Sequence, residues 1–228
     1  EQYLSFQYSA LEETFFKGIY KLMPGHVLIY RDGKYEIKSY FKARLTLGQW
    51  EESQENSNVG TRRDENVNEL KENNPDMQPL QARLETILDD SVKHHMLSDV
   101  EVGAFLSGGV DSGYLAAASG ADQAFTVGFD EGNRYNEVEK AAQVAKAAGL
   151  RHHVKIISKK EFWNSLPDVM YHMDEPSGDA SAVALYFLAQ EAAKHVKVVL
   201  SGEGADELFG GYNIYREPEA LKMVGWIP

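Results

Sequence analysis

Residues Val102 to Gly113, reading Val-Gly-Ala-Phe-Leu-Ser-Gly-Gly-Val-Asp-Ser-Gly, constrain the fold more tightly than any other stretch of the chain. Five mostly apolar residues run directly into Ser-Gly-Gly-Val-Asp-Ser, and a run of small residues from Tyr114 to Ser119 follows. That order reads as a buried strand, a tight turn, and a helix whose first N–H groups lack an intrahelical partner. Such a helix start attracts phosphate, because its free N–H donors and the positive end of its dipole point the same way. Gly108 and Gly109 allow an anion to approach the backbone with no Cβ in the way. Ser107 and Ser112 add hydroxyl donors, and Asp111 adds a carboxylate. A carboxylate in a phosphate cradle repels its ligand unless a cation lies between them, so Asp111 points to Mg²⁺.

The same order recurs downstream. Val196 to Leu200 reads as a strand and runs into Ser201-Gly202-Glu203-Gly204-Ala205-Asp206-Glu207, a glycine-rich turn followed by a helix start. Between the two turns lie a strand at Phe125–Phe129, an alanine-rich helix from Glu137 to Ala148 with Asn136 as N-cap and Gly149 as its stop, and a strand at His153–Ile157. Ser158 caps a helix running to about Met173, and a further helix covers roughly Ser181 to Ala193. Upstream, Leu80, Leu84, Ile87, Leu88 and Val92 fall at helical spacing. Short apolar strands alternating with helices predict an α/β fold: a parallel sheet with helices on both faces. Ligands of such sheets sit at the carboxyl ends of the strands, so the turns after Leu106 and Leu200 face one ligand if their strands are neighbours. Asp111 and Asp206 would then grip one Mg²⁺ between phosphates. A dinucleotide fingerprint at Gly202 fails because Glu207 stands where its third glycine belongs. No GxxxxGK[ST] loop and no GxSxG elbow occurs.

The net charge of −12 argues against nucleic acid and anionic membrane as partners. It also means that an ATP site must rest on backbone N–H groups and metal. With no cysteine there are no disulfides and no thiolate chemistry, and no apolar run reaches the ~18 residues of a membrane-spanning helix. A cytoplasmic location is the expectation. The pairs His94-His95 and His152-His153, and His172, lack a metal-ligand pattern and read as surface or core histidines.

The first forty residues read as β hairpins, with a short helix from Leu11 to Tyr20, a turn at Tyr20–His26, a strand at Val27–Tyr30, an Asp32-Gly33 hairpin turn and a strand from Tyr35 to Tyr40. About forty residues cannot close a sheet over a full core, so this is part of something larger. Residues 42–78 are polar and charged, and cannot offset their ordering entropy by burial; they read as a mobile linker, with Glu65–Glu72 as a weak helix.

The segment Ser107–Ser112 resembles the SGGxDS pyrophosphate loop of ATP pyrophosphatases, and Ser201–Glu207 resembles the SGEGxDE signature of asparagine synthetases. The block Val169-Met-Tyr-His-Met-Asp174-Glu175-Pro176, with Asp179, fits the same family in order and spacing. Residues 1–41, with Tyr20-Lys-Leu-Met-Pro-Gly-His26 and Tyr40-Phe41, resemble the end of the glutaminase domain of class II amidotransferases. The resemblance implies an adenine nucleotide α-hydrolase-like fold of the ATP pyrophosphatase type over residues 79–228. It implies a ligase that makes β-aspartyl-AMP and PPi from aspartate and ATP, then asparagine and AMP with ammonia, drawn from glutamine in the full-length enzyme. By the same resemblance, Ser107, Gly108, Gly109, Asp111 and Ser112 would hold the pyrophosphate, and Leu106 and Val127 would line the adenine pocket. Ser201 and Gly202 would contact the nucleotide, Asp111 and Asp206 would bind Mg²⁺, and Glu203 would act at the reacting centre. It also allows a homodimer of the full-length enzyme. No cysteine nucleophile and no counterpart of the family's catalytic lysine stand in this sequence, so the fragment alone is expected to be inactive or ammonia-dependent at best. A non-catalytic nucleotide-binding fragment and a β-lactam synthetase-like acyl-adenylating enzyme are the alternative readings.

Overall fold

Apolar residues on alternate positions of a strand face opposite sides of its sheet, and that period of two decides which helices each side receives. The structure, a computed structural model, describes residues 3, 8–42, 78–130, 137–176 and 178–213. It divides into two units, one drawn from residues 1–79 with 173–178, the other from 80–172 with 179–228. The proposed linker over 42–78 and the Asn136 cap lie outside the described residues, apart from the ends at 42 and 78.

In the first unit, β1 (His26–Arg31) and β2 (Lys34–Ser39) form an antiparallel hairpin in register from His26–Ser39 to Arg31–Lys34. Asp32 and Gly33 both take positive φ (52° and 77°), the type I′ geometry whose twist matches that of the strands. None of residues 8–42 is buried, as expected for so short a sheet. Lys21 joins the 173–178 segment to this unit through an ion pair with Glu175 at 3.0 Å. The helix expected over Leu11–Tyr20 is not formed: the segment is bends and turns closed by a bridge between Glu13 and Tyr20. Thr14 is the physical reason. Its hydroxyl donates to the Ile19 carbonyl at 2.7 Å and accepts from Phe16 N–H at 3.1 Å, offering the backbone a local alternative to helical bonds.

Apart from the end residues Gln78, Pro79 and Met173, the second unit holds α1 (Gln78–His95), β3 (Val102–Phe105), α2 (Val110–Ser119), β4 (Gln123–Phe129), α3 (Val138–Ala148), β5 (Arg151–Ile157), α4 (Lys159–Met173), α5 (Ser181–Ala192), β6 (Val198–Leu200) and α6 (Ala205–Phe209). Pro79 sits in the first turn of α1, where its missing N–H costs nothing. Ser158 and Glu161 cap α4 reciprocally: Ser158 N–H donates to the Glu161 carboxylate at 2.9 Å, and Glu161 N–H donates to the Ser158 hydroxyl at 3.2 Å. At the end of α3, Leu150 N–H donates to Ala145 O at 2.9 Å as the chain turns at Gly149.

The four strands are all parallel, in the order β5-β4-β3-β6. Helices cover both faces, as the alternating pattern predicts. Ala104, Ala124, Ala116, Ala141 and Ala145 pack α2 and α3 closely onto one face. On the other, Val127, Phe129 and Ile157 meet Val169, Val183 and Phe187 of α4 and α5, while Phe125 packs with Ala192 and Val196. Each large side chain buried there contributes about 1.5–3 kcal/mol. Strand-crossing connections of this kind are right-handed. A chain that steps from β3 to β4 to β5 with helices on one face therefore returns to β6 with helices on the other. The strand order reverses between β3 and β6, and both glycine-rich turns leave the carboxyl ends of those two strands.

Candidate active site

The turn after β3 is held by its own serines. Ser107 N–H donates to Ser112 Oγ at 3.1 Å, the two hydroxyls lie 2.9 Å apart, and Gly109 N–H donates to Ser107 Oγ at 3.2 Å. The hydroxyls expected to meet a phosphate thus also fold the loop that would receive it. Gly109 is the N-cap of α2 and no side chain bonds the helix start, which leaves the first N–H groups facing outward. Gly108 adopts φ +81°, and a Cβ there would come within 2.8 Å of Ala141 N and Lys140 Cβ. Its glycine is required by α3 behind the loop rather than by a ligand in front of it.

The turn after β6 meets the first turn directly. A Cβ on Gly202 would stand 3.1 Å from Ser112 N and 3.4 Å from Asp111 Cβ. Ser201 Oγ accepts from Glu203 N–H at 3.4 Å, and Asp206 opens α6 half-buried beneath Gly211. Tyr212 donates to Glu207 at 3.0 Å, a bond that pushes the phenol up to about 12, with desolvation adding to it. Glu207 is thereby a structural acceptor. On the other side of the first turn, Tyr114 donates to Asp89 of α1 at 2.7 Å, which likewise raises the phenol to about 12.

Between the turns lies a cleft of about 490 Å³. Of the residues singled out from sequence, Leu106, Ser107, Gly109, Asp111, Ser112, Val127, Ser201, Gly202, Glu203 and Asp206 line it; Gly108 does not. Sequence reasoning missed Thr126, Glu137, Ser181 and Tyr212, together with the apolar wall of Phe105, Phe129, Leu185 and Leu188. The period-two pattern of β4 carries the signal for Val127 and Phe129, but nothing local marks Glu137 or Ser181.

Four carboxylates (Asp111, Glu137, Glu203 and Asp206) and no lysine or arginine line the cleft among the described residues. An all-oxygen donor set with no basic side chain fits a hard divalent cation, and accepts a polyphosphate only together with one. Asp111 and Asp206, the pair expected from sequence to hold it, stand one on each turn. No cluster of three or more histidine, aspartate or glutamate side chains forms a ready metal cage among the described residues.

Asp179 precedes α5 and accepts from its first residue: Ser181 N–H and Oγ donate to its carboxylate at 2.8 and 2.6 Å, which holds that carboxyl below the usual range. Asp174 ends α4 with φ +59°. Neither lines the cleft. His94, His95 and His172 are exposed, while His152 and His153 are half-buried on β5. Burial, then the neighbouring His153, lowers the pKa of His152.

A parallel sheet with its cleft at a strand-order reversal, floored by apolar side chains and rimmed by two glycine-rich turns, defines an α/β domain with a ligand-sized cleft at its topological switch point. A family model described as asparagine synthase matches residues 83–228, and the chain belongs to that family. It is 41% identical over 233 aligned positions to asparagine synthetase (glutamine-hydrolyzing) 1 of Bacillus subtilis, covering 100% of this chain and 33% of that protein. To asparagine synthetase B (glutamine-hydrolyzing) of Escherichia coli it is 32% identical over 162 positions, covering 61% of this chain and 29% of that one. The chain thus spans about a third of the length of these curated relatives. Among solved structures, the NH3-dependent NAD synthetase of Campylobacter jejuni aligns over 60% of each chain at a TM-score of 0.35 and 19% identity. No helix among the described residues is long and apolar enough to cross a membrane.

Proposed function

We propose that this chain carries the ATP- and Mg²⁺-binding half of an amide-forming ligase site. Aspartate and ATP would give β-aspartyl-AMP and PPi, and ammonia would then give asparagine and AMP. The observation that carries the reading is the meeting of the two signature turns at Gly202 and Asp111–Ser112, on one acidic cleft. In this reading Ser107, Gly109 and Ser112, with the open start of α2, position the β- and γ-phosphates. Gly108 shapes that loop from behind. Leu106 and Val127 wall the adenine, and Ser201 and Gly202 border the α-phosphate. Bound Mg²⁺ would neutralise charge on the departing PPi, with Asp111 and Asp206 as its protein ligands. Fixed N–H donors add to this without reorganising during the reaction. Glu203, which lines the cleft, would take a proton from the attacking ammonia.

We assign the hairpin unit to the closing part of a glutaminase domain, residues 42–78 to a linker, and 79–228 to the synthetase domain. Ammonia would come from glutamine in the full-length, cytoplasmic enzyme. Nucleotide analysis tests the chemistry: the full-length protein given aspartate, ammonia and Mg-ATP is expected to form AMP and PPi in step with asparagine. Formation of ADP and phosphate instead would overturn the reading.

A further inference from the structure

Thr126 lines the cleft yet is only 2% exposed, and its hydroxyl makes two short contacts. One is to the Leu106 carbonyl oxygen at 2.6 Å, the other to His152 Nε2 at 2.7 Å. A threonine hydroxyl has a single proton, and a carbonyl oxygen can only accept. The proton therefore points at Leu106, and His152 Nε2 must be the donor in the second contact. The ring is the Nε2–H tautomer, and one chain of bonds runs from His152 on β5 through Thr126 on β4 to the residue where β3 has just ended.

That end point matters for the loop. The β3–β4 register closes at Phe105–Phe125, and Leu106 N–H still donates to Phe125 O at 2.9 Å. Beyond it β4 continues to Phe129 while the first chain turns away into Ser107. The Leu106 carbonyl, buried and at the parting of the strands, takes its donor from a side chain. It belongs to the peptide whose other half is Ser107 N–H, the group bonded to Ser112 Oγ. Both sides of that peptide are consequently fixed, one by the loop itself and one from the sheet. Hydrogen bonds in such a chain polarise one another in a low-dielectric interior.

We propose that His152 is a positioning residue: through Thr126 it sets the peptide that launches the phosphate loop, two strands away from its own backbone. The ligand in question rests on the ATP reading above. The bond chain itself belongs to the protein alone.

The test uses the full-length protein. His152→Leu and Thr126→Val are expected to raise the Kd and the KM for Mg-ATP about tenfold, with the KM for aspartate held within about twofold. His152→Gln, whose amide nitrogen can donate from a similar place, and Thr126→Ser are expected to restore near wild-type affinity. Equal losses in His152→Leu and His152→Gln, or parallel movement of both substrates, would overturn the proposal while leaving the ATP reading intact. Wild-type protein with no affinity for Mg-ATP would overturn that reading, and this proposal with it. Long-range ¹H–¹⁵N NMR of the nucleotide-free protein gives a second check that needs no activity. A slowly exchanging Nε2–H on His152 is expected, and an Nδ1–H ring would overturn the relay.

Discussion

The two turns that form the cleft are built alike in sequence and differently in structure. The first is fastened by four internal side-chain bonds of 2.9–3.5 Å among Ser107, Gly109 and Ser112, and leads into a helix of ten residues. The second has one side-chain bond, from Glu203 N–H to Ser201 Oγ at 3.4 Å, and one backbone bond, from Ala205 N–H to Gly202 O at 3.4 Å, and leads into a helix of five residues. The first turn therefore presents donors whose arrangement is settled before a ligand arrives, which is what makes fixed dipoles effective. The second contributes mainly carboxylates, Glu203 and Asp206, on a backbone with fewer constraints of its own. In the proposed function the difference teaches a division of labour: one turn would be a mould for an anion, the other a source of carboxylate ligands.

The largest expected effect tests whether both turns are needed for the metal. Asp111→Asn and Asp206→Asn should each lower PPi release by on the order of 10³-fold, with melting temperatures close to wild type. A silent Asp206→Asn would break the symmetry and leave the cation to the first turn alone. Next, the two close-packed glycines should fail in different ways. Gly108→Ala combines a left-handed φ with a Cβ pressed against the α3 backbone, and should cost about 2–4 kcal/mol in denaturant unfolding. Gly202→Ala wedges the turns apart at Ser112 N, so Mg-ATP affinity should fall about tenfold while stability changes by less than about 1 kcal/mol. The smallest effect sharpens the contrast in fastening. Ser112→Ala should weaken Mg-ATP binding about tenfold by calorimetry and Ser201→Ala only about twofold, because the first loses two short bonds that shape its loop and the second loses one long one.

The strands and helices of the second unit were legible because every cue agreed there. Apolar runs of strand length, the Ser158 cap and the Gly149 stop are local signals, and they fall where the structure has them. Boundaries moved modestly: β4 begins at Gln123 and β5 at Arg151, where polar side chains pair with the sheet rather than ending it, and β6 shortens to Val198–Leu200. The sequence also paired Asp111 with Asp206 on the condition that their strands be neighbours, and the β3–β6 pairing meets it. What stayed hidden depends on contacts between distant residues. Thr126, inside Phe-Thr-Val-Gly-Phe, reads as an ordinary β-branched filler of a strand. Only the neighbouring His152 and Leu106 reveal that its hydroxyl is engaged on both sides. Over Leu11–Tyr20 the apolar spacing suggested a helix, and one threonine hydroxyl outcompeted it.

The strand order carries a consequence for how such a site comes into being. Residues 102–104 pair with 198–200, whereas β3 reaches β4, and β4 reaches β5, across much shorter spans of chain. Closing the long span loses more entropy, so the β5-β4-β3 layer is favoured to assemble first. During that interval the outer edge of β3 stands bare, a template on which a second molecule could add a strand and begin an aggregate. The chain's own β6, three residues long, covers it. A ligand that touches both turns stabilises the state in which this late strand is docked. Substrate would then act as a guardian of the newly made protein, holding shut the edge through which it is most prone to be lost.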